Sequence, residues 1–174
     1  VTDEAHRLGH KCCIHAGTEQ SVAWAVEAGF DSIEHGAYLE EDLAQKAIEK
    51  GLAWVPTIYV YEKSVDYMKK VTPNPTKADL AGIKFLEDTV KGYRRNFLRN
   101  YRKGILVAAG TDICFPEMFI TPLQEEIKTM IRYGLTNLEA IQCATQNGAK
   151  VLGMADEIGT VAEGYCADLL LVAG

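Results

Sequence analysis

Long apolar runs are absent from this sequence of 174 residues. No run approaches the length of about 18 residues that a transmembrane helix needs. The first ten residues, VTDEAHRLGH, have neither an initiator methionine nor the basic and apolar pattern of a secretory signal. They are typical of the end of an amphipathic helix. We therefore expect no membrane partner, and we expect the chain to be part of a longer protein.

Positive charge is also in short supply, since 24 acidic residues outnumber 18 basic ones and give a net charge of −6. This balance argues against nucleic acid as a partner. A solvated helix face accounts for the one basic cluster, which consists of Arg94, Arg95, Arg99, Arg102 and Lys103. A small-molecule substrate is the partner that we expect.

The five cysteines are an odd number in a chain without a signal sequence, so we expect reduced thiols and a cytoplasmic location. The stretch KCCIHAGT places Cys12 and Cys13 close to His15. Neighbouring residues of a strand point to opposite faces, so these two thiols cannot easily bind one ion together. Strand packing is the simpler interpretation.

Three catalytic motifs are missing as well. The sequence has no G-x-S-x-G, no phosphate-binding P-loop and no H-E-x-x-H. Serine hydrolases with a nucleophile elbow, nucleotide triphosphatases and zincin proteases therefore have no support.

A repeated unit is present instead, in which a polar helical stretch ends at a glycine and a short apolar run follows. The four instances are HRLG-HKCCIH, VEAG-FDSIEH, IEKG-LAWVPT and YRKG-ILVAAGTD. Their glycines, at positions 9, 29, 51 and 104, suit the positive φ at the end of a helix. Alternation of strands and helices predicts a parallel α/β sheet.

The stretches between the runs predict helices over 18–28, 40–50, 79–103, 120–132 and 136–152. Thr136 and Glu139 have the spacing of a capping box. Residues 56–76, which include Pro73 and Pro75, indicate a long loop or lid. Two short strands are expected at about 158–161 and 167–172.

Three side chains suited to binding metal occupy three different strand ends. His15 and His35 each stand six residues after the glycine of their unit, and Asp112 follows the fourth run. The carboxyl ends of barrel strands converge on one mouth, whereas an open sheet spreads them along a line. The sequence therefore favours a TIM barrel over an open doubly wound sheet, with a Zn²⁺-like site at its mouth. Four strands make only half of an eight-stranded barrel.

At these residues the sequence resembles the amidohydrolase superfamily, in particular its imidazolonepropionase-like and Xaa-Pro dipeptidase-like branch. The segments CIHAGT, SIEHG, WVPT and AAGTDICFP resemble the ends of barrel strands 5, 6, 7 and 8. The resemblance implies that residues 1–152 are the C-terminal half of a (β/α)₈ TIM barrel. It also implies that residues 153–174 are C-terminal strands that return to a small β-sandwich.

The resemblance further implies a metal-dependent hydrolase of a C–N bond in a dipeptide, an N-acyl amino acid or a cyclic amide. His15 and His35 would bind the more exposed of two divalent ions, and Asp112 the more buried one. Asp112 would also take a proton from the metal-activated hydroxide and pass it to the leaving nitrogen. Tyr59 is a candidate for substrate binding.

The family's strand 1 His-x-His and strand 4 lysine have no counterpart here. The chain would therefore need a missing N-terminal half of the barrel, or association with itself. Two other functions stay open at this point. One is a non-catalytic half-barrel that acts only by such assembly, and the other is a mononuclear deaminase of the same superfamily.

Overall fold

The computed structural model describes residues 1–114, 116, 120 and 122–172. Parallel strands alternate with helices through the first two thirds of the chain. The strands are β1 (Cys13–Ala16), β2 (Ser32–His35), β3 (Ala53–Val55) and β4 (Leu106–Val107). The helices are α1 (Thr2–Arg7), α2 (Glu19–Ala28), α3 (Glu41–Glu49), α4 (Ile58–Val71), α5 (Lys77–Lys103), α6 (Pro122–Arg132), α7 (Asn137–Ala144) and α8 (Gln146–Leu152).

The four strands form one parallel sheet in the order β1-β2-β3-β4, which confirms the predicted α/β class. Ile14 pairs with Ile33, and Ile33 pairs with Trp54, so successive strands lie in register. Because all four strands run the same way, their carboxyl ends meet along one edge of the sheet. His15 and His35 are brought to this edge by that register.

The glycines that end the repeated units have the predicted conformation. Gly9, Gly29, Gly51 and Gly104 have φ values between 70° and 100°. The predicted capping box is present too, because Thr136 accepts a hydrogen bond from the Glu139 amide and Glu139 accepts one in return.

The prediction of a loop over residues 56–76 is wrong. Residues Ile58–Val71 form helix α4, and the two prolines lie beyond its end. Both are compatible with the turn into α5, since proline breaks a helix only when it stands inside one. Helices α4 and α5 therefore form a hairpin between β3 and β4. No described helix combines the length and apolarity needed to cross a membrane.

The C-terminal tail also differs from expectation, because residues 158–161 and 167–172 are not strands here. A strand needs a neighbour for its backbone groups, and no described segment pairs with this tail. Leu170 and Leu171 are almost fully exposed. A return to a β-sandwich thus stays a prediction. The helix predicted from residue 120 begins at Pro122, and residue 121 lies outside the described residues, as does Phe115 of the AAGTDICFP segment.

Helix α5 packs on the sheet and holds the segment that follows β2. The Asn96 and Asn100 side chains, both fully buried, donate hydrogen bonds to the carbonyl oxygens of Ala37 and Leu39 at 2.9 and 2.7 Å. Gly92 lies against the same segment, since a Cβ atom there would stand 2.8 Å from the Ala37 carbonyl oxygen. The chain leaving β2 is therefore attached to α5 by three consecutive helical turns.

We expect Gly92→Ala to destabilise the fold by about 1–3 kcal/mol, because the added methyl group collides with backbone that cannot easily move. Gly82→Ala on the same helix is the matched control. A Cβ atom at Gly82 meets nothing within 4 Å, so this variant should gain about 0.5–1 kcal/mol from helix propensity. Urea unfolding measures both changes. Equal stability of the two variants would contradict the proposed contact.

Candidate active site at the strand ends

Unusual backbone conformations mark the carboxyl edge of the sheet. Among the described residues, only three that are not glycine have positive φ: His35 at 66°, Thr57 at 50° and Asp112 at 43°. This conformation is disfavoured for side chains with a Cβ, and it concentrates at functional sites. All three follow or end a strand, and two of them are predicted metal ligands.

The His35 ring is held in one orientation. Its Nδ1 atom shares a hydrogen bond with the Thr57 hydroxyl at 2.7 Å, and the Trp54 indole N–H donates to the His35 carbonyl oxygen at 2.6 Å. The Nε2 atom faces the other way and lies 3.9 Å from Oδ2 of Asp112. A ligand bound by His35 would therefore meet Nε2, with Thr57 fixing the ring from behind.

His15 stands beside His35 at the same edge. The two ring centroids are 4.6 Å apart with an interplanar angle of 70°. Burial of His35, and next the charge of neighbouring His15, lower the pKa of His35. A lower pKa keeps the His35 imidazole neutral near pH 7, which is the form that binds metal ions.

The donor types and the orientation of His35 fit part of a divalent metal site. Two imidazoles and a carboxylate are suitable ligands for Zn²⁺. The side chains do not form a complete site by themselves, however. In the part of the chain that the structure describes, no group of three histidine, cysteine, aspartate or glutamate side chains is close enough to hold an ion. This chain therefore offers a partial ligand set.

One cysteine, Cys114, lies near this arrangement, two residues after Asp112, where burial and next the charge of Asp112 raise the pKa of its thiol. All five are free thiols, and Cys143 is buried as expected for a structural residue. Cys13 is exposed, so it does not pack in the core as its place in an apolar run suggested. Cys13 borders an open cavity together with Glu34 of β2 and Val55 of β3, which accounts for its exposure.

The tyrosine that meets His35 is Tyr61, two residues after the predicted Tyr59. The Tyr61 and His35 ring centroids are 5.4 Å apart. Tyr59 is buried in the first turn of α4, with the Lys63 ammonium 5.8 Å from its ring. Because α4 is a helix and not a loop, Tyr59 and Tyr61 point in different directions.

A buried acid that the sequence analysis did not single out supports this region. Glu126 of α6 is fully buried, and its carboxyl oxygens accept hydrogen bonds from the Ile58 and Tyr59 amides at 2.9 and 2.7 Å. These two amides begin α4, where helix geometry leaves backbone N–H groups without partners. Burial raises the pKa of Glu126 to about 7. The sequence does carry a signal for this burial. Glu126 stands three and four residues before the buried Thr129 and Met130, which places it on the same face of α6.

A second acid, Glu34, lies one residue before His35 in β2. The Ser32 hydroxyl donates a hydrogen bond to its carboxylate at 2.8 Å. Burial raises the pKa of Glu34, and the Ser32 hydrogen bond opposes this change. Glu34 thus places a second carboxyl group next to the candidate ligands.

Comparison with known proteins places the chain in a family. The profile of the amidohydrolase family matches residues 1–174. Ochratoxinase from Aspergillus niger is 29% identical over 172 residues, which cover 98% of this chain and 34% of ochratoxinase. Imidazolonepropionase from Rubrobacter xylanophilus is 39% identical over 70 residues, which cover 40% of this chain and 17% of that protein.

A solved structure agrees with these relatives. A Xaa-Pro dipeptidase with methionine bound in its active site is similar with a TM-score of 0.77 at 26% identity, over 95% of this chain and 39% of the dipeptidase. The chain thus spans little more than a third of the length of ochratoxinase or of the dipeptidase. The predicted resemblance is confirmed, and since the family profile matches every residue from 1 to 174, the chain belongs to the amidohydrolase family.

Proposed function

We propose that this chain is the C-terminal part of a metal-dependent amidohydrolase that cleaves a C–N bond in a dipeptide, an N-acyl amino acid or a cyclic amide. The observation that carries the proposal is the strained edge of the sheet, where His35, Thr57 and Asp112 adopt positive φ beside His15. Strain of this kind persists where function requires a side chain in one place. The names of the relatives, a dipeptidase and an imidazolonepropionase, support a C–N bond as the target.

The proposed roles follow from the geometry of this edge. His15 and His35 bind a divalent cation such as Zn²⁺, with Thr57 orienting His35 through Nδ1. When bound, such a cation lowers the pKa of water and polarises a carbonyl group. The Asp112 carboxylate, half exposed and 3.9 Å from His35 Nε2, accepts a proton from the attacking water and delivers it to the leaving nitrogen.

The rest of the ligand set comes from outside this sequence in our proposal. Residues 1–152 form strands 5–8 of a TIM barrel, and residues 153–174 belong to a small sandwich domain. A parallel sheet of four strands has two open edges, and a barrel closes both. The N-terminal half of the barrel, in the same complete protein, supplies the missing strands and ligands.

Metal removal tests this function. The complete protein, dialysed against a chelator, is expected to lose hydrolysis of its dipeptide or N-acyl amino acid substrates and to regain it with Zn²⁺ or Mn²⁺. Elemental analysis measures the number of ions, and release of the free amino acid measures turnover. Unchanged turnover by protein shown to be free of metal would contradict the proposal.

A further inference from the structure

Helix α5 extends over the carboxyl edge of the sheet. It has 27 residues, which corresponds to a length of about 40 Å. Its last residue, Lys103, lies just before β4, and so at the amino edge of the sheet. The first half of α5 therefore reaches the opposite edge, where His15, His35 and Asp112 are found.

One exposed apolar residue of α5 lies next to His15. A Cβ atom at Gly17 would stand 3.6 Å from Nε2 of His15 and 3.9 Å from the tip of the Phe85 ring. The ring of Phe85 and the imidazole of His15 thus border the same gap, which exists because residue 17 has no side chain. Phe85 is 43% exposed, so much of this side chain is uncovered.

A second aromatic side chain adjoins the candidate ligands at His35. Tyr61 contacts His35, and it in turn contacts the buried Tyr93 with a ring centroid distance of 5.6 Å. Aromatic side chains therefore adjoin both candidate ligands, with Phe85 beside the gap at His15 and Tyr61 against His35. Asp112 lies 3.9 Å from Nε2 of His35.

We propose that Phe85 determines substrate specificity, by packing against a bulky apolar or aromatic side chain next to the bond that is cleaved. The inference rests on the proposed function and adds the substrate class to it. A bond placed at His35 and Asp112 puts the neighbouring substrate group over the gap at Gly17. An apolar ring there favours phenylalanine- or leucine-like groups, because burying their carbon surface against Phe85 removes it from water.

The test measures turnover of N-acetyl-phenylalanine, N-acetyl-leucine, N-acetyl-alanine and N-acetyl-aspartate in the complete protein. The corresponding Xaa-Pro dipeptides form a separate series, because their side chain lies on the carbonyl side of the cleaved bond. We expect higher kcat/KM for the phenylalanine and leucine compounds of the N-acetyl series. Phe85→Ala should lower kcat/KM about tenfold for the phenylalanine compound, mainly through KM, and leave the alanine compound within twofold. The Phe85→Leu variant should keep most of the wild-type kcat/KM for the phenylalanine compound, because leucine is also a large apolar side chain.

Leu80→Ala is the matched control. Leu80 is another exposed apolar residue of α5, and its replacement should leave kcat/KM unchanged for all substrates.

Binding supplies a second measurement that does not need turnover. By calorimetry, the Asp112→Asn variant should bind N-acetyl-phenylalanine about tenfold more tightly than N-acetyl-alanine, and the added Phe85→Ala change should abolish this difference.

The outcomes separate the two proposals. Hydrolysis by the wild type without preference for bulky apolar groups, or a Phe85→Ala effect equal for all substrates, overturns the role of Phe85 alone. Absence of hydrolysis by the metal-loaded wild type overturns the proposed function, and equal binding of the two ligands then overturns the role of Phe85 as well. If hydrolysis is absent but N-acetyl-phenylalanine still binds more tightly than N-acetyl-alanine, the proposed reaction is wrong and the role of Phe85 in selectivity stands.

Discussion

Replacing Asp112 with asparagine in the complete protein is expected to lower kcat about 10²–10⁴-fold, which is the usual contribution of a positioned general acid–base group. Asparagine keeps the size of the side chain but cannot accept a proton and return it. The carboxylate is well placed for this task, since it is half exposed and lies 3.9 Å from Nε2 of the buried His35. Steady-state kinetics, expressed per bound metal ion, measures the change.

Asp66→Asn provides the control for this substitution. Asp66 is exposed on α4, and its change should leave kcat within twofold of the wild type. Metal content has to be measured in every variant, because the sequence also predicts Asp112 as a metal ligand. If Asp112→Asn retains metal and keeps kcat within threefold, its role in moving the proton is wrong.

The second large effect is expected on the free energy of unfolding when Glu126 is replaced. Glu126→Ala should reduce the free energy of unfolding by about 3–5 kcal/mol, because it leaves two buried amides of α4 without acceptors and opens a cavity. Glu125→Ala is the control on the same helix. The Glu125 carboxylate pairs with Lys128 at the surface, so its loss should change stability by less than about 1 kcal/mol.

The stability contributed by Glu126 should also depend on pH. Burial raises the pKa of this carboxyl group from 4.5 to about 7, so the folded state holds the proton more tightly than the unfolded state does. Its contribution is therefore greatest below pH 4.5, falls as the pH rises to about 7, and is constant above that. The expected loss over this interval is about 3 kcal/mol.

Glu126→Gln isolates this effect, because the amide does not titrate. The difference in unfolding free energy between wild type and Glu126→Gln, measured from pH 4.5 to 8, should fall by about 3 kcal/mol and then level off. A difference that stays constant with pH would show that the carboxyl group titrates alike in both states. Neither variant changes a proposed metal ligand.

Much of the architecture could be predicted because its signals are local. Apolar runs after Gly9, Gly29, Gly51 and Gly104 predicted four parallel strands, and each of these glycines has the positive φ expected of it. The failures come from segments whose state depends on distant partners. Helix α4 begins at amides held by Glu126, and the apolar tail has no described neighbour with which to form a sheet.

The candidate site divides in the same way. Its residue types and strand-end positions were visible in the sequence at His15, His35 and Asp112, and their role in binding metal stays a prediction. The sequence did not show which ring nitrogen of His35 is available to a ligand, since this depends on the hydrogen bond with the Thr57 hydroxyl. The contact of Tyr61 with His35 was not visible either, because it depends on α4 being a helix, and the role of Tyr59 in binding substrate stays a prediction.

The sequence by itself thus determined the alternation of strands and helices and the strand-end positions of the candidate ligands, because glycines, caps and apolar spacing act over a few residues. Only the tertiary structure decided how the side chains at the edge of the sheet are oriented. Thr57 meets His35 across 22 residues of chain, and Glu126 meets Ile58 across 68. Contacts over such separations exist only once the helices have packed on the sheet, so no local pattern encodes them.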